Sequence, residues 1–190
     1  MLELVDAEAV LITSRLVLEP IQYHHACDLY LILQDERIYR YIPTGPPVSQ
    51  QALAQRYQLL ERRSSPSGDE VWLNWAVRLN EPPNYIGVVQ ATVQSTQAAY
   101  LAYEFAPESW GRGYATEACR MVLDLLFRDY TIAEVLAEVD TRNMQSLKLL
   151  ERLGFERRSF RAAADYFKGS SSDEYMYRLA TRQDHINARG

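Results

Sequence analysis

Cysteine is scarce in this 190-residue chain, which has two, and Cys27 and Cys119 are not spaced as a metal pair. Each falls among apolar residues of a helix-patterned segment, where a thiol is expected to act as a small core group. Histidine is sparse too. His24 and His25 precede a helix without Cys, Asp or Glu at ligand spacing, which implies a surface or capping role, and His185 lies in a polar tail, so no metal is expected. Long hydrophobic runs are missing: none approaches the ~18 residues needed to cross a bilayer, and no membrane partner is expected. A basic excess is missing as well. The formal net charge is −5, and affinity for phosphate backbones needs a basic footprint that this composition lacks, so nucleic acid is not expected as a partner. Near the N-terminus stand Glu3, Asp6 and Glu8 where a secretory leader would carry positive charge, which points to the cytoplasm. There is no internal repeat, long linker or second composition regime. With 47% apolar and 24% charged residues, a single domain over 1–190 is expected, its core at about 13–180 and a polar tail at 181–190.

What is present alternates between strand and helix texture. Residues 15–19 read as a short strand ended by Pro20, and 23–34 carry helical spacing through Ala26, Leu29, Tyr30 and Leu33. Prolines and a glycine punctuate 43–47, a second helix is predicted at 49–63, and 64–69 is a polar loop. Three strands follow at 72–80, 85–93 and 98–105, predicting an antiparallel meander. The strongest amphipathic pattern places Ala115, Ala118, Cys119, Val122, Leu123 and Leu126 on one face and Glu117, Arg120, Asp124 and Arg128 on the other. A strand at 135–139 leads to a helix at 143–153, ended by Gly154 at a left-handed cap and by Phe155. Two last strands, 157–163 and 174–179, are separated by a serine-rich polar loop. The order β-α-α-β-β-β-α-β-α-β-β describes one mixed α/β domain.

The most informative segment joins the strand ending at Phe105 to the helix opening near Ala115. Gly111 and Gly113, one residue apart at a helix start, let backbone N–H groups converge without Cβ interference, and the helix dipole adds partial positive charge there. That outlines a phosphate site; an ordinary tight turn with glycines at positive φ has the same outline. A dinucleotide fingerprint, with Glu138 or Asp140 as the ribose acid, fits poorly. Thr116 stands at the third glycine position, four residues separate the strand from the first glycine, and the upstream strands read as a meander where βαβ units are required.

The string Tyr-Glu-Phe-Ala-Pro-Glu-Ser-Trp-Gly-Arg-Gly-Tyr-Ala-Thr-Glu-Ala (103–118), followed by Asn-x-x-Ser-x-x-Leu-Leu-Glu-x-Leu-Gly-Phe (143–155), resembles the GNAT acetyltransferase superfamily. More narrowly it is similar to the ribosomal-protein N-terminal acetyltransferase (RimJ/RimL-like) branch, whose first strand Thr-Ser-Arg-Leu-Val-Leu-Glu-Pro (13–20) also resembles. The likeness spans roughly 13–179. It implies a mixed, mostly antiparallel central sheet with helices on both faces, and acetyl-CoA as cosubstrate. The pantetheine arm would run along Phe105 and Ala106, where a local bulge frees backbone groups. The pyrophosphate would rest on the amides of Gly111, Arg112, Gly113, Tyr114, Ala115 and Thr116. Asn143 and Ser146 would reach the pantetheine or thioester, although helix capping explains both equally well. Trp110 replaces the Gln or Arg that often opens the superfamily's loop, as is usual in this branch, and reads as a packing anchor.

The reaction so implied is attack of a neutral amine on the thioester, with backbone N–H groups near Phe105 to Pro107 stabilising the developing oxyanion and no metal taking part. Glu104 is the candidate general base, provided strand alternation turns it toward a partly dry cleft and not toward solvent. Many superfamily members carry a tyrosine acid at the position occupied here by Leu150; Ser146 is the natural substitute, with Tyr103 or Tyr114 as other hydroxyls in reach. The branch implies a protein N-terminus as acceptor, a small amine (aminoglycoside, polyamine or amino acid derivative) being the alternative and a CoA-binding sensor without turnover the reading from another class. Tyr39, Tyr41 and Tyr57 are placed to line an acceptor pocket, though half-buried packing is their simpler role. Specificity is expected to reside in 35–69 and 163–174. The spacing of Tyr and Trp fits a monomer or a homodimer.

Overall fold

Alternating apolar residues bury one face of each strand, and the sheet grows outward from them. The structure, a computed structural model, describes residues 7–181. Leu11–Ile12 (β1) pairs with Leu16–Pro20 (β2), and Leu16 and Leu18 are fully buried. β2 is followed across the sheet by Glu70–Leu79 (β3), Tyr85–Gln94 (β4) and Ala98–Phe105 (β5), all antiparallel, as the meander required. β1 adds an edge strand that two residues are too few to announce by alternation.

Tyr114–Arg128 (α3) then crosses over, which makes Glu134–Asp140 (β6) parallel to β5. Met144–Leu153 (α4) precedes a long hairpin of Glu156–Phe167 (β7) and Ser170–Ala180 (β8). The eight strands are ordered β1-β2-β3-β4-β5-β6-β8-β7. The expected serine-rich loop is part of this hairpin: Asp165–Phe167 pair with Ser170–Ser172 across a turn at Lys168 and Gly169. Ser172 is buried because its hydroxyl donates to the Asp140 carboxylate at 2.7 Å, a tertiary contact that composition does not carry.

Helices cover both faces. On one, α3 and α4 bury Ala118, Cys119, Val122, Leu126, Leu147 and Leu150 against the sheet. On the other, Ala26–Ile32 (α1) and Gln50–Leu60 (α2) bury Leu29, Leu53 and Tyr57 against Ala76 and Val88. Each fully buried Leu or Val contributes about 1.5–3 kcal/mol. The predicted 23–34 helix begins as a 3₁₀ turn, Tyr23–His25. His25 is buried there, its Nδ1 accepting the Gln22 N–H at 2.9 Å and its Nε2 lying 3.3 Å from Glu19, which is a capping role. Cys27 corrects the expectation of a core thiol: it faces solvent, and only Cys119 is buried. α4 ends at Gly154, φ +91°, with the Phe155 N–H donating to Leu150 O at 3.0 Å, as the sequence indicated. Of the polar tail only Thr181 is among the described residues, and 182–190 with His185 lie outside them.

Candidate active site

β5 and β6 pair only from Ala98 to Tyr100 and from Glu134 to Leu136. Beyond Tyr100, β5 keeps β4 on one side and has no strand on the other, so its end borders an open gap. The expected bulge does not interrupt the ladder with β4: the register is continuous to Gly87↔Phe105, and the Ala106 N–H donates to Ile86 O at 2.8 Å. The splay of β6 frees the main chain instead. Because Ala106 N–H points to β4, alternation sends the Phe105 N–H into the gap. Ala106 is engaged within the protein at both main-chain groups, its carbonyl accepting the Ser109 N–H at 2.9 Å and the Ser109 hydroxyl at 2.6 Å. Of the amides expected at 105–107, only that of Phe105 is left to offer, since Pro107 has none.

The turn after β5 is closed by Trp110, whose indole N–H donates to Phe105 O at 2.8 Å. Gly111 and Gly113 adopt φ +73° and +81°, and Gly113 is the N-cap of α3 with no side chain capping the helix. The first α-helical bond runs from Glu117 N–H to Gly113 O, at 3.0 Å, so the N–H groups of Tyr114, Ala115 and Thr116 have no helical partner. A cavity of about 540 Å³ lies against this first turn, lined among others by Gly113, Thr116, Arg120 and Arg152. Uncapped amides and a helix dipole around such a space fit a diphosphate, and three arginines, Arg15, Arg120 and Arg152, line it against two acids, Glu117 and Asp124. Arg112 is exposed, and Tyr114 turns toward Arg15, whose guanidinium stands 4.7 Å from the ring centre.

Glu104 pairs with Val88 and so projects to the α1/α2 face of the sheet. It lines a second cavity, of about 260 Å³, together with Tyr39, Tyr57, Arg56, Gln90 and Val88. Its carboxylate accepts no hydrogen bond among the described residues. Burial pushes it above the ordinary carboxylate range, and the nearby Arg56 charge offsets this only in part. Tyr39 is tied down, its hydroxyl donating to Leu33 O at 3.0 Å, whereas the buried Tyr57 hydroxyl has no partner. Tyr41 is not among the lining residues.

Tyr103 projects to the opposite, α3/α4 face, and its hydroxyl meets that of Ser146 at 2.6 Å. Burial raises its phenol, so it stays protonated. Ser146 sits in the first turn of α4, where its N–H donates to Asn143 Oδ1 at 3.1 Å; Asn143 is the helix N-cap, and its amide nitrogen is left over. Leu150 is completely buried. One strand end thus carries a carboxylate on one face and a hydroxyl pair on the other.

Three supports were not legible. A Cβ on Gly87 would meet Glu104 O at 2.3 Å and Phe105 Cα at 2.9 Å; a glycine inside a strand is the signal of such close approach. Glu117 accepts hydrogen bonds from Thr13 Oγ1 (2.6 Å), Ser14 Oγ (3.1 Å), Arg15 N–H (3.0 Å) and Arg15 Nε (2.7 Å), fastening α3 to the β1–β2 turn. Lys168 at the β7–β8 turn donates to the carbonyls of Tyr39, Ile42 (3.1 Å) and Thr44 (3.4 Å), beside the second cavity.

A splayed parallel pair with an uncapped helix start beside it defines an acyl-CoA-binding class of α/β protein, and the comparisons agree. Residues 15–156 match the acetyltransferase (GNAT) domain family. The chain is 24% identical over 175 residues to the uncharacterized N-acetyltransferase p20 of Bacillus licheniformis, covering 91% of this chain and 97% of that protein. Its fold is similar to the ribosomal-protein-S5-alanine acetyltransferase of Vibrio fischeri (TM-score 0.78, 18% identity, 92% and 98% of the two chains). It is equally similar to a Salmonella typhimurium acetyl transferase that modifies the N-terminal serine of ribosomal protein L7/L12 (TM-score 0.78, 17% identity, 92% and 100%). The chain belongs to the GNAT acetyltransferase family and is an acetyl-CoA-dependent N-acetyltransferase. Among the described residues no helix is long and apolar enough to cross a membrane, and no group of His, Cys, Asp and Glu is arranged to hold a metal.

Proposed function

We propose that the protein acetylates the α-amino group of a polypeptide N-terminus, with Glu104 as general base and Ser146, backed by Tyr103, as the proton donor to sulfur. The observation that carries this reading is the pairing of an unpartnered, half-buried carboxylate with a hydroxyl pair on opposite faces of the strand end where β5 loses its neighbour. Acetyl-CoA supplies the acetyl group as a thioester. The amides of Tyr114, Ala115 and Thr116 hold the pyrophosphate, with Gly111, Arg112 and Gly113 shaping the turn, and Phe105 and Asn143 meet the pantetheine arm. Ala106 lines the arm without bonding it.

Glu104 receives a proton from the acceptor amine, directly or through one water, as the N–C bond forms. The Phe105 N–H faces the developing oxyanion. As the C–S bond breaks, the Ser146 hydroxyl passes a proton to sulfur and recovers one from Tyr103, which water reprotonates while Glu104 releases the amine's proton to water. An α-amine has an ordinary pKa of about 8, against about 10.4 for lysine, so one carboxylate is base enough. The ribosomal-protein specificity of two similar folds supports a polypeptide acceptor.

Thermal stabilisation by acetyl-CoA tests the binding half: at a hundred times its dissociation constant it should add about 2.7 kcal/mol. Transfer to a panel of peptides and small amines tests the other half. An unchanged midpoint rejects the proposal, and transfer confined to small amines rejects its acceptor.

A further inference from the structure

The cavity that holds Glu104 contains one more charge than amine transfer needs. Arg56 lies on α2 at the cavity wall and forms no ion pair or hydrogen bond among the described residues, although it is close enough to act on the charges of Glu104, Tyr39 and Tyr57. Arg15, Arg78 and Arg142 are by contrast paired, with Glu117 (2.6 Å), Glu19 (2.7 Å) and Asp140 (2.5 Å). The rest of the wall is mainly apolar, with Leu33, Leu53, Val48 and Val88, and its other polar groups are those of Tyr39, Thr44, Tyr57 and Gln90. The Tyr57 hydroxyl is buried without a partner, and burial together with the Glu104 charge pushes its phenol upward, so it remains a donor. Buried donors of this kind call for an occupant or a water.

A polycation placed here would meet the guanidinium of Arg56 head-on, and like charges so close oppose binding. A molecule with an anion beside its amine satisfies both ends at once. At about 260 Å³ the cavity is below the usual size for drug-like ligands, and it suits one or two residues of a chain end.

Resting on the transfer reading above, we infer that the acceptor carries a carboxylate close to its amine, bound by Arg56 while the amine faces Glu104. The protein therefore selects acidic N-terminal residues and discriminates against polyamines and aminoglycosides. Arg56 is a specificity residue, and it takes no part in the bond changes.

The test compares short peptides that begin with aspartate or asparagine, and free aspartate, on the wild type, Arg56→Gln and Arg56→Lys. The aspartate peptide should be preferred by about fivefold in kcat/KM, the value of a part-exposed charge pair. Arg56→Gln should remove the preference by raising KM for the aspartate peptide alone, and Arg56→Lys should keep part of it. Inactivity of free aspartate assigns the carboxylate to a chain end and supports the inference, whereas free aspartate acting as well as the peptide overturns the selection of N-terminal residues. Equal use of both peptides by the wild type overturns it. So does a proportional loss on both with a displaced pH profile, since Arg56 would then act only by tuning Glu104. Calorimetry of the peptides with CoA-saturated protein separates the two readings. Arg56-dependent binding of the acidic peptide with no acetyl transfer anywhere sinks the transferase mechanism and leaves this site standing, whereas transfer blind to acidity does the reverse.

Discussion

A half-buried carboxyl that accepts no hydrogen bond is better accommodated protonated than charged, and burial holds Glu104 above the ordinary range although the Arg56 charge offsets part of this. Its pKa is higher folded than unfolded, so the stability it contributes is complete below the ordinary carboxylate range and is lost as pH rises through the raised folded value. The proposed general base works in the opposite form. Activity should therefore climb through the same interval in which stability falls. Glu104→Gln should lower kcat by about 10²-fold, flatten the acid limb of the pH–rate profile and raise the melting midpoint above that interval. Steady-state kinetics and calorimetry across pH read both effects; a lower midpoint at high pH would contradict the assignment. Tyr103 and Ser146, bonded at 2.6 Å, act as one unit if they relay a proton. Tyr103→Phe and Ser146→Ala should each reduce kcat about tenfold, and the double variant little further, because units of this kind are non-additive.

At the scale of elements, the start of α3 is held from outside. Burial alone would raise the Glu117 carboxyl, but its hydrogen bonds from Thr13, Arg15 and Ser14 outweigh burial and hold it below the usual value. That stability is present above the unfolded pKa and disappears as pH falls through the folded one. Glu117→Ala should cost about 1–2 kcal/mol in urea titrations, since Arg15 is half exposed, and should raise KM for acetyl-CoA with little change in kcat. Gly113, at φ +81°, cannot become a β-branched residue without moving the turn. Gly113→Val should abolish stabilisation by acetyl-CoA while secondary structure by circular dichroism persists. On β4, Gly87→Ala places a methyl against the main chain of Glu104 and Phe105. A loss of about 1–3 kcal/mol is expected, with a larger fall in kcat than in acetyl-CoA affinity.

On the scale of the whole molecule, the two faces of the sheet carry different groups: the amide-lined helix start and the hydroxyl pair lie on the α3/α4 side, and the cavity holding Glu104 on the α1/α2 side. The β7–β8 hairpin reaches back to the front half through Lys168. Lys168→Met should raise KM for the acceptor severalfold and leave acetyl-CoA binding intact; equal effects on both would reject a role confined to the acceptor side. Element types were readable because amphipathic periods of two and 3.6 are written locally, and Gly111, Gly113 and Gly154 announce left-handed backbone that other residues resist. The glycine turn and the Asn143 and Ser146 motif were likewise placed at the starts of α3 and α4 from sequence. What sequence left open was direction and distance. Whether Glu104 faced solvent or a cavity depended on which side of β5 the α1/α2 pair covered, and the Tyr103–Ser146 contact depended on β6 and α4 returning across the gap. The Ser172 contact with Asp140, the Glu117 fastening and the Lys168 contact join residues more than ten positions apart in the chain. The chain by itself determined the elements and the chemistry each could bring; tertiary structure decided which groups meet, because packing free energy is shared between segments and no local pattern encodes it.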